Sequence, residues 1–124
     1  MNDNSVRNQI ICPYNYEIRS YDNLSNIELA AKFSKNENNF KIFKNLLFKI
    51  NKNEQLINEL LMTTIYNISS TASNDAIKLL IKYVTNIDYR EKDTSWSSLI
   101  YCCIYGNDIK IFKLLIDNGA NLNY

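Results

Sequence analysis

Three apolar triplets recur along the chain at nearly constant spacing. Leu46-Leu47-Phe48, Leu79-Leu80-Ile81 and Leu114-Leu115-Ile116 lie 33 (46 to 79) and 35 (79 to 114) residues apart. A second set precedes them: Ala30-Ala31-Lys32-Phe33, Thr63-Thr64-Ile65-Tyr66 and Cys102-Cys103-Ile104-Tyr105, offset by 33 (30 to 63) and 39 (63 to 102). A period of this size marks one supersecondary unit repeated, each with an apolar face that only a stacked neighbour covers. The larger last offset gives units one and two about four extra residues in the link between their helices.

The last unit, Trp96 to Tyr124, is the clearest. Leu99, Cys102 and Cys103 share one face of a first helix, and Ile111, Phe112, Leu114 and Leu115 form the stripe of a second. Gly106-Asn107-Asp108 breaks the first and caps the second, and Asn118-Gly119 stops it, since glycine accepts the left-handed conformation of a helix end. In the first unit Ser25 and Glu28 have capping-box spacing. Ile27, Leu29, Ala30, Ala31 and Phe33 follow as a short helix, SKNENN interrupts, and a second helix is expected from about Asn39 to Ile50. The middle unit runs from Glu54 through Leu56, Ile57, Leu60 and Leu61, crosses the polar link ISSTASND, and continues with Ala76, Ile77, Leu79, Leu80 and Ile81. Residues 1–24 are polar and irregular, and Cys12-Pro13 disfavours a helix across that point. They are either a partly ordered leader or a cap that packs Ile10, Ile11, Tyr14, Tyr16 and Ile18 on the first helix. A repeat domain is expected over 25–124, with units near 25–53, 54–92 and 93–124.

Composition narrows the chemistry. With 124 residues, 46% of them hydrophobic, the chain suffices for one domain with a real core. It contains no histidine, which rules out Ser-His-Asp and Cys-His nucleophile systems, HExxH sites and Cys/His zinc fingers. Catalysis by carboxylates or lysine alone stays open in principle. Cys12, Cys102 and Cys103 lack CxxC spacing, and suit neither zinc nor a disulfide framework. A net charge of +1 supplies no field to draw nucleic acid or an anionic membrane. The first residues lack a secretory-signal pattern, and no apolar run approaches a bilayer span. The expected setting is soluble, reducing and intracellular, in the cytoplasm.

Residues 85–124 resemble the ankyrin repeat family, whose motif runs D-x-x-G-x-T-P-L-H-x-A-A-x-x-G-N-x-x-I-V-K-L-L-L-x-x-G-A-D-V-N. Trp96-Ser97-Ser98-Leu99-Ile100 stands in the place of G-T-P-L-H, Cys102-Cys103 in that of the paired small residues, and Gly106-Asn107 in that of G-N. Lys113 to Asn123 matches the second helix and its exit almost position for position. The middle unit keeps Lys78-Leu79-Leu80-Ile81 and Asn86-Ile87-Asp88, with Val84-Thr85 for Gly-Ala; the first keeps only the apolar pattern. SSLI replaces the TPLH turn, so that hydrogen-bond network is weaker or differently made, and Asp108 is an extra residue between the helices. Divergent ankyrin proteins of large DNA viruses and some protists are similar in their extended links and their wealth of Asn and Ile.

The resemblance implies an all-α ankyrin-type solenoid of about three stacked helix-turn-helix units with short finger loops. It also implies a non-enzymatic module, without cofactor, metal, nucleic acid or membrane, that binds a partner protein through finger loops and the concave helical face. In a viral setting that partner would be a host factor. The candidate contact residues are Tyr89, Arg90, Glu91 and Lys92 in the finger, Trp96 at its base, and Ile65, Tyr66, Ile104 and Tyr105 near the inter-helix turns. For the finger the alternative is a solvated loop, for Trp96 an anchor, and for the paired Ile-Tyr positions a place in the core. Cys102 and Cys103 are expected to pack as small hydrophobes. The chain stops after NGANLN without a capping helix, from which marginal stability, self-association or origin in a longer array is expected. A degenerate or fragmentary repeat protein with no specific partner is the competing reading.

Overall fold

The computed structural model describes residues 3–13, 23–50, 53–68, 70–106 and 108–122. Among these are seven α-helices and no strand: α1 (Asp3–Gln9), α2 (Asn26–Lys32), α3 (Glu37–Ile50), α4 (Glu54–Tyr66), α5 (Asn74–Tyr83), α6 (Ser98–Tyr101) and α7 (Ile109–Asp117). α6 continues into a π-helical turn, Cys102–Gly106. α2 packs on α3, α4 on α5, and the π turn on α7, so each unit is a helical hairpin. The first helices also stack on one another, α2 on α4 and α4 on α6, which makes the chain an all-α solenoid.

Each first helix begins at a residue whose side chain satisfies an otherwise free backbone N–H. Ser25 and Glu28 form the full capping box, Asn53 Oδ1 accepts from Leu56 N at 3.0 Å, and Ser97 Oγ accepts from Ile100 N at 3.4 Å. Asn36, Ser73 and Asp108 play the same part for α3, α5 and α7. Asp108, an apparent insertion, is thus a cap. The end of α7 has the expected form: Gly119 sits at φ 99°, Ala120 N donates to Leu115 O and Gly119 N to Ile116 O, both at 3.0 Å. α5 lacks that glycine and ends instead in extended backbone at Val84.

The core runs through all three units. Leu29, Phe43, Leu47, Ile57, Leu61, Ile77, Leu80, Ile111 and Leu115 are buried in it. Burial corrects the register expected for the first helices. Small side chains belong where helices approach closely, and the buried ones are Ala30, Ala31, Thr64 and Cys102; Thr63 is exposed. Thr64, and not Thr63, is therefore the counterpart of Cys102, an offset of 38 (64 to 102). The four extra residues also part company. In unit one α3 starts at Glu37, a turn earlier than in the other units, whereas in unit two they lie in the link between α4 and α5, where the backbone N–H groups of Ser70, Thr71 and Ala72 all donate to Asn67 O.

Those links carry the polar bonds between units. Lys32 Nζ donates to Asn67 Oδ1 at 3.0 Å, Lys35 N to Thr71 O at 3.0 Å and Ser73 N to Ser34 Oγ at 2.8 Å. Asn74 Nδ2 donates to Asp108 Oδ2 at 3.2 Å, and Asn121 N to Asp88 Oδ1 at 2.9 Å. The network that SSLI cannot make is built here instead, while the buried Ser98 Oγ has no hydrogen-bond partner.

Residues 3–9, expected to be irregular, form the helix α1. α1 packs on α2, Arg7 Nη1 donates to Leu24 O at 2.9 Å, and Ile10 is buried. Ile11 leaves its side chain exposed but gives both backbone groups to the buried Asn39: Ile11 N donates to Oδ1 at 2.7 Å and Nδ2 donates to Ile11 O at 2.6 Å. Tyr14, Tyr16 and Ile18 lie outside the described residues.

The π turn separates the two cysteines. Cys102 is buried, and burial, followed by the charges of Cys103 and Asp108, raises its thiol to about 11. Cys103 is exposed, contrary to the expectation that both pack, because the widened turn carries it and Ile104 to the surface. At neutral pH a thiol alkylating agent is expected to modify Cys103 rapidly and Cys102 only after unfolding, as mass spectrometry of the digested chain would read.

Gly106 lies against Cys102, where an added Cβ would stand 2.9 Å from Sγ. In an ordinary helix, Gly→Ala stabilises by about 0.5–1 kcal/mol. Here overpacking wins, and Gly106→Ala is expected to destabilise by about 1–2 kcal/mol in urea titration. Combined with Cys102→Ala the loss should shrink, with coupling of about 1 kcal/mol; additive losses would show that the thiol moves aside freely.

Candidate protein-interaction groove

The first helices and the connector from α5 to α6 enclose a trough. Glu28 of α2, Leu56, Glu59, Leu60 and Thr63 of α4, and Glu91, Lys92 and Asp93 of the connector line a cavity of about 370 Å³. A second cavity of about 130 Å³ shares Glu28 and Thr63 with it and adds Leu24, Lys32, Thr64, Tyr66 and Asn67. Together they run along the inner face from the finger to the inter-helix links.

The finger is a closed loop held by its own backbone. Glu91 N donates to Trp96 O at 3.0 Å and Ser95 N to Glu91 O at 2.8 Å, and Arg90 Nη1 donates to Ser95 O at 2.6 Å. Glu91 then ties the loop to the stack, since its Oε2 accepts from Tyr101 Oη at 2.8 Å. Burial, then that hydrogen bond and the Glu91 charge, raise the Tyr101 phenol above its usual range. The Tyr89 phenol is raised too, by desolvation and then by the charges of Glu59 and Glu91. Arg90 is therefore a brace within the finger, while Lys92 at its tip is exposed.

An aromatic wall stands beside the finger. Trp96 meets Tyr101 edge-on at 5.2 Å between ring centroids, Tyr101 lies 6.0 Å from Tyr105, and Tyr105 meets Tyr66 of the preceding unit edge-on at 4.7 Å. Such edge-to-face pairs are worth about 0.5–1.5 kcal/mol beyond the area they bury. Trp96 anchors the finger, as one of its two expected roles had it, and Tyr66 remains 55% exposed at the trough.

Of the nine candidates from the sequence, Tyr89, Arg90, Glu91, Lys92, Trp96, Tyr66 and Tyr105 fall in or behind this face. Ile65 does not. It is fully buried in the core cluster on α4. Ile104 is 48% exposed on the π turn, but lines neither cavity. Tyr101, Glu28, Glu59, Thr63 and Asp93 were missed. Tyr101 and Tyr105 stand four apart on one helical turn, a spacing that could have shown a shared face; the carboxylates come from separate units, and no local pattern joins them. Among the described residues no group of His, Cys, Asp or Glu side chains converges closely enough to hold a metal ion. None of the described helices is long and apolar enough to cross a membrane.

Residues 27–124 match the family profile described as ankyrin repeats, in three copies. The chain belongs to the ankyrin repeat family. Ankyrin repeats are generally protein–protein interaction modules, and the family is typically non-enzymatic. Comparison with curated proteins and with solved structures finds no match.

The ankyrin motif also explains the finger's strained residue. One position separates its glycine from the T-P-L-H run, so the counterpart of that glycine is Ser95 and not Trp96. Ser95 has φ 63°, the one positive φ at a non-glycine among the described residues. A side chain in this conformation costs on the order of 1 kcal/mol. Ser95→Gly is accordingly expected to stabilise the protein by about 1 kcal/mol in chemical denaturation, partly offset by the freer unfolded chain.

Proposed function

We propose that this ankyrin domain is a non-enzymatic adaptor that binds a partner protein in the trough formed by its finger and its first helices. The supporting observation is the continuity of that trough: two cavities sharing Glu28 and Thr63, with the partly exposed Tyr66 at one end and the braced finger at the other. A concave surface of fixed shape, with an aromatic side chain available for contact, suits segmental recognition with little reorganisation. The setting is intracellular, with a host factor as partner if the chain is viral. Self-association through the last unit is a separate proposal, supported by the exposure of Ile104, Ile109 and Leu122.

Photo-crosslinking amino acids at Tyr66 and at Lys92 test the trough against a control at Phe48, which lies on α3 and is 72% exposed. The same product is expected from both trough positions and not from Phe48. Equal products from all three positions, or none from the trough, would support the reading of a repeat protein with no specific partner.

A further inference from the structure

The larger cavity has a charge that the chain as a whole does not. The protein carries a net charge of +1. Yet the side chains lining this cavity include Glu28, Glu59, Glu91 and Asp93 against Lys92 alone, a local excess of three negative charges. Three of these carboxylates accept hydrogen bonds from uncharged donors: Glu28 from Ser25 Oγ at 2.8 Å, Glu59 from Gln55 Nε2 at 3.1 Å and Glu91 from Tyr101 Oη at 2.8 Å. Glu28 and Glu91 are fixed in place, one by Ser25 and the other by Tyr101 Oη. Carboxylates held along a low-dielectric cleft focus a negative potential there, whatever the net charge.

Two further features suit a long cationic side chain. Leu56 and Leu60 give the cavity an apolar lining for a methylene stem, whose charged head can then reach the carboxylates. Tyr66, 55% exposed, adds a ring at the end of the trough away from the finger, the kind of surface on which a guanidinium or ammonium rests. The carboxylates are strung along the trough and do not converge on a point, which favours an extended segment over a single metal ion. The same field repels a phosphate backbone.

We propose that the trough receives an extended segment of a partner protein bearing lysine or arginine, with the cationic side chains set among Glu28, Glu59, Glu91 and Asp93. This rests on the trough being the binding surface. Its charge decides which segments enter.

Fluorescence anisotropy of the full chain with short labelled peptide pools, each with arginine, lysine, glutamate or alanine fixed at its centre, tests the assignment. Two variants accompany it. Glu59→Gln/Glu91→Gln removes charge while a glutamine at 91 can still accept from Tyr101, and Thr63→Trp fills the trough without altering charge. The arginine and lysine pools are expected to bind at least about tenfold more tightly than the others, to weaken about tenfold in the charge variant, and to weaken further with salt. Thr63→Trp should abolish their binding. Preferred binding of glutamate or alanine pools that Thr63→Trp alone removes would overturn the charge assignment and leave the trough standing. Binding of basic pools that Thr63→Trp leaves unchanged would overturn both. Circular dichroism and urea midpoints matching the parent would confirm that each variant is folded.

Discussion

Replacing Leu80 with alanine is expected to unfold the whole stack, at a cost of about 3–4 kcal/mol. Leu80 is fully buried on α5, in the middle unit, where the loss acts on the hairpin between both neighbours. Stability in a stacked array is a sum of weak units and the interfaces between them, so a middle unit that fails removes two interfaces at once. A domain stabilised by roughly 5–15 kcal/mol then retains little margin. Leu115 is equally buried but belongs to the last unit. Leu115→Ala should therefore loosen α6 and α7 first and leave α2 to α4 protected in hydrogen exchange. Identical exchange patterns for the two variants would mean that the three units fold as a single block.

Asn39→Asp is expected to cost about 3 kcal/mol at neutral pH and to free the N-terminal segment. Asn39 Nδ2 donates to Ile11 O at 2.6 Å and to Phe33 O at 3.0 Å, and its Oδ1 accepts from Ile11 N. An ionised carboxylate keeps the one acceptor bond but faces two carbonyl oxygens without a proton to offer. Burial in such company raises the new carboxyl above its usual value of about 3.9. The folded state then favours the neutral acid, so part of the stability is present below the unfolded value and is lost as pH rises from there through the raised folded-state value. Asn39→Ala removes the same bonds without a titrating group and should be destabilising at every pH. Limited proteolysis within residues 3–13 reads the release directly; resistance equal to the parent in both variants would show that α1 is held by other contacts.

Features set by neighbouring residues were legible in the sequence. The Ser25 to Glu28 box and the Gly119 stop need only a few residues and one backbone conformation each, and both have the expected hydrogen bonds. Features that depend on what a neighbouring unit covers were not. Thr63-Thr64 and Cys102-Cys103 look like equivalent pairs, yet stacking exposes Thr63 and buries Cys102, and a π turn exposes Cys103. The N-terminal clamp was hidden because an asparagine early in a helix reads as a polar surface residue, while its partner Ile11 lies 28 positions away. The left-handed backbone at Ser95 gave no sign, since serine stands where glycine would have announced it. The acidic trough was the least visible of all: Glu28, Glu59, Glu91 and Asp93 become neighbours only when three units are stacked.

Tyr66 and Tyr105 belong to successive units and meet edge-on, with ring centroids 4.7 Å apart. A nuclear Overhauser spectrum of the full chain, with the tyrosine rings selectively labelled, tests the stacked trough at that point. Strong cross-peaks between the two rings, accompanied by contacts from Tyr105 to the Trp96 indole, are the expected result. A folded protein in which Tyr66 and Tyr105 show no cross-peak would contradict the stacking, and with it the surface assigned to the partner.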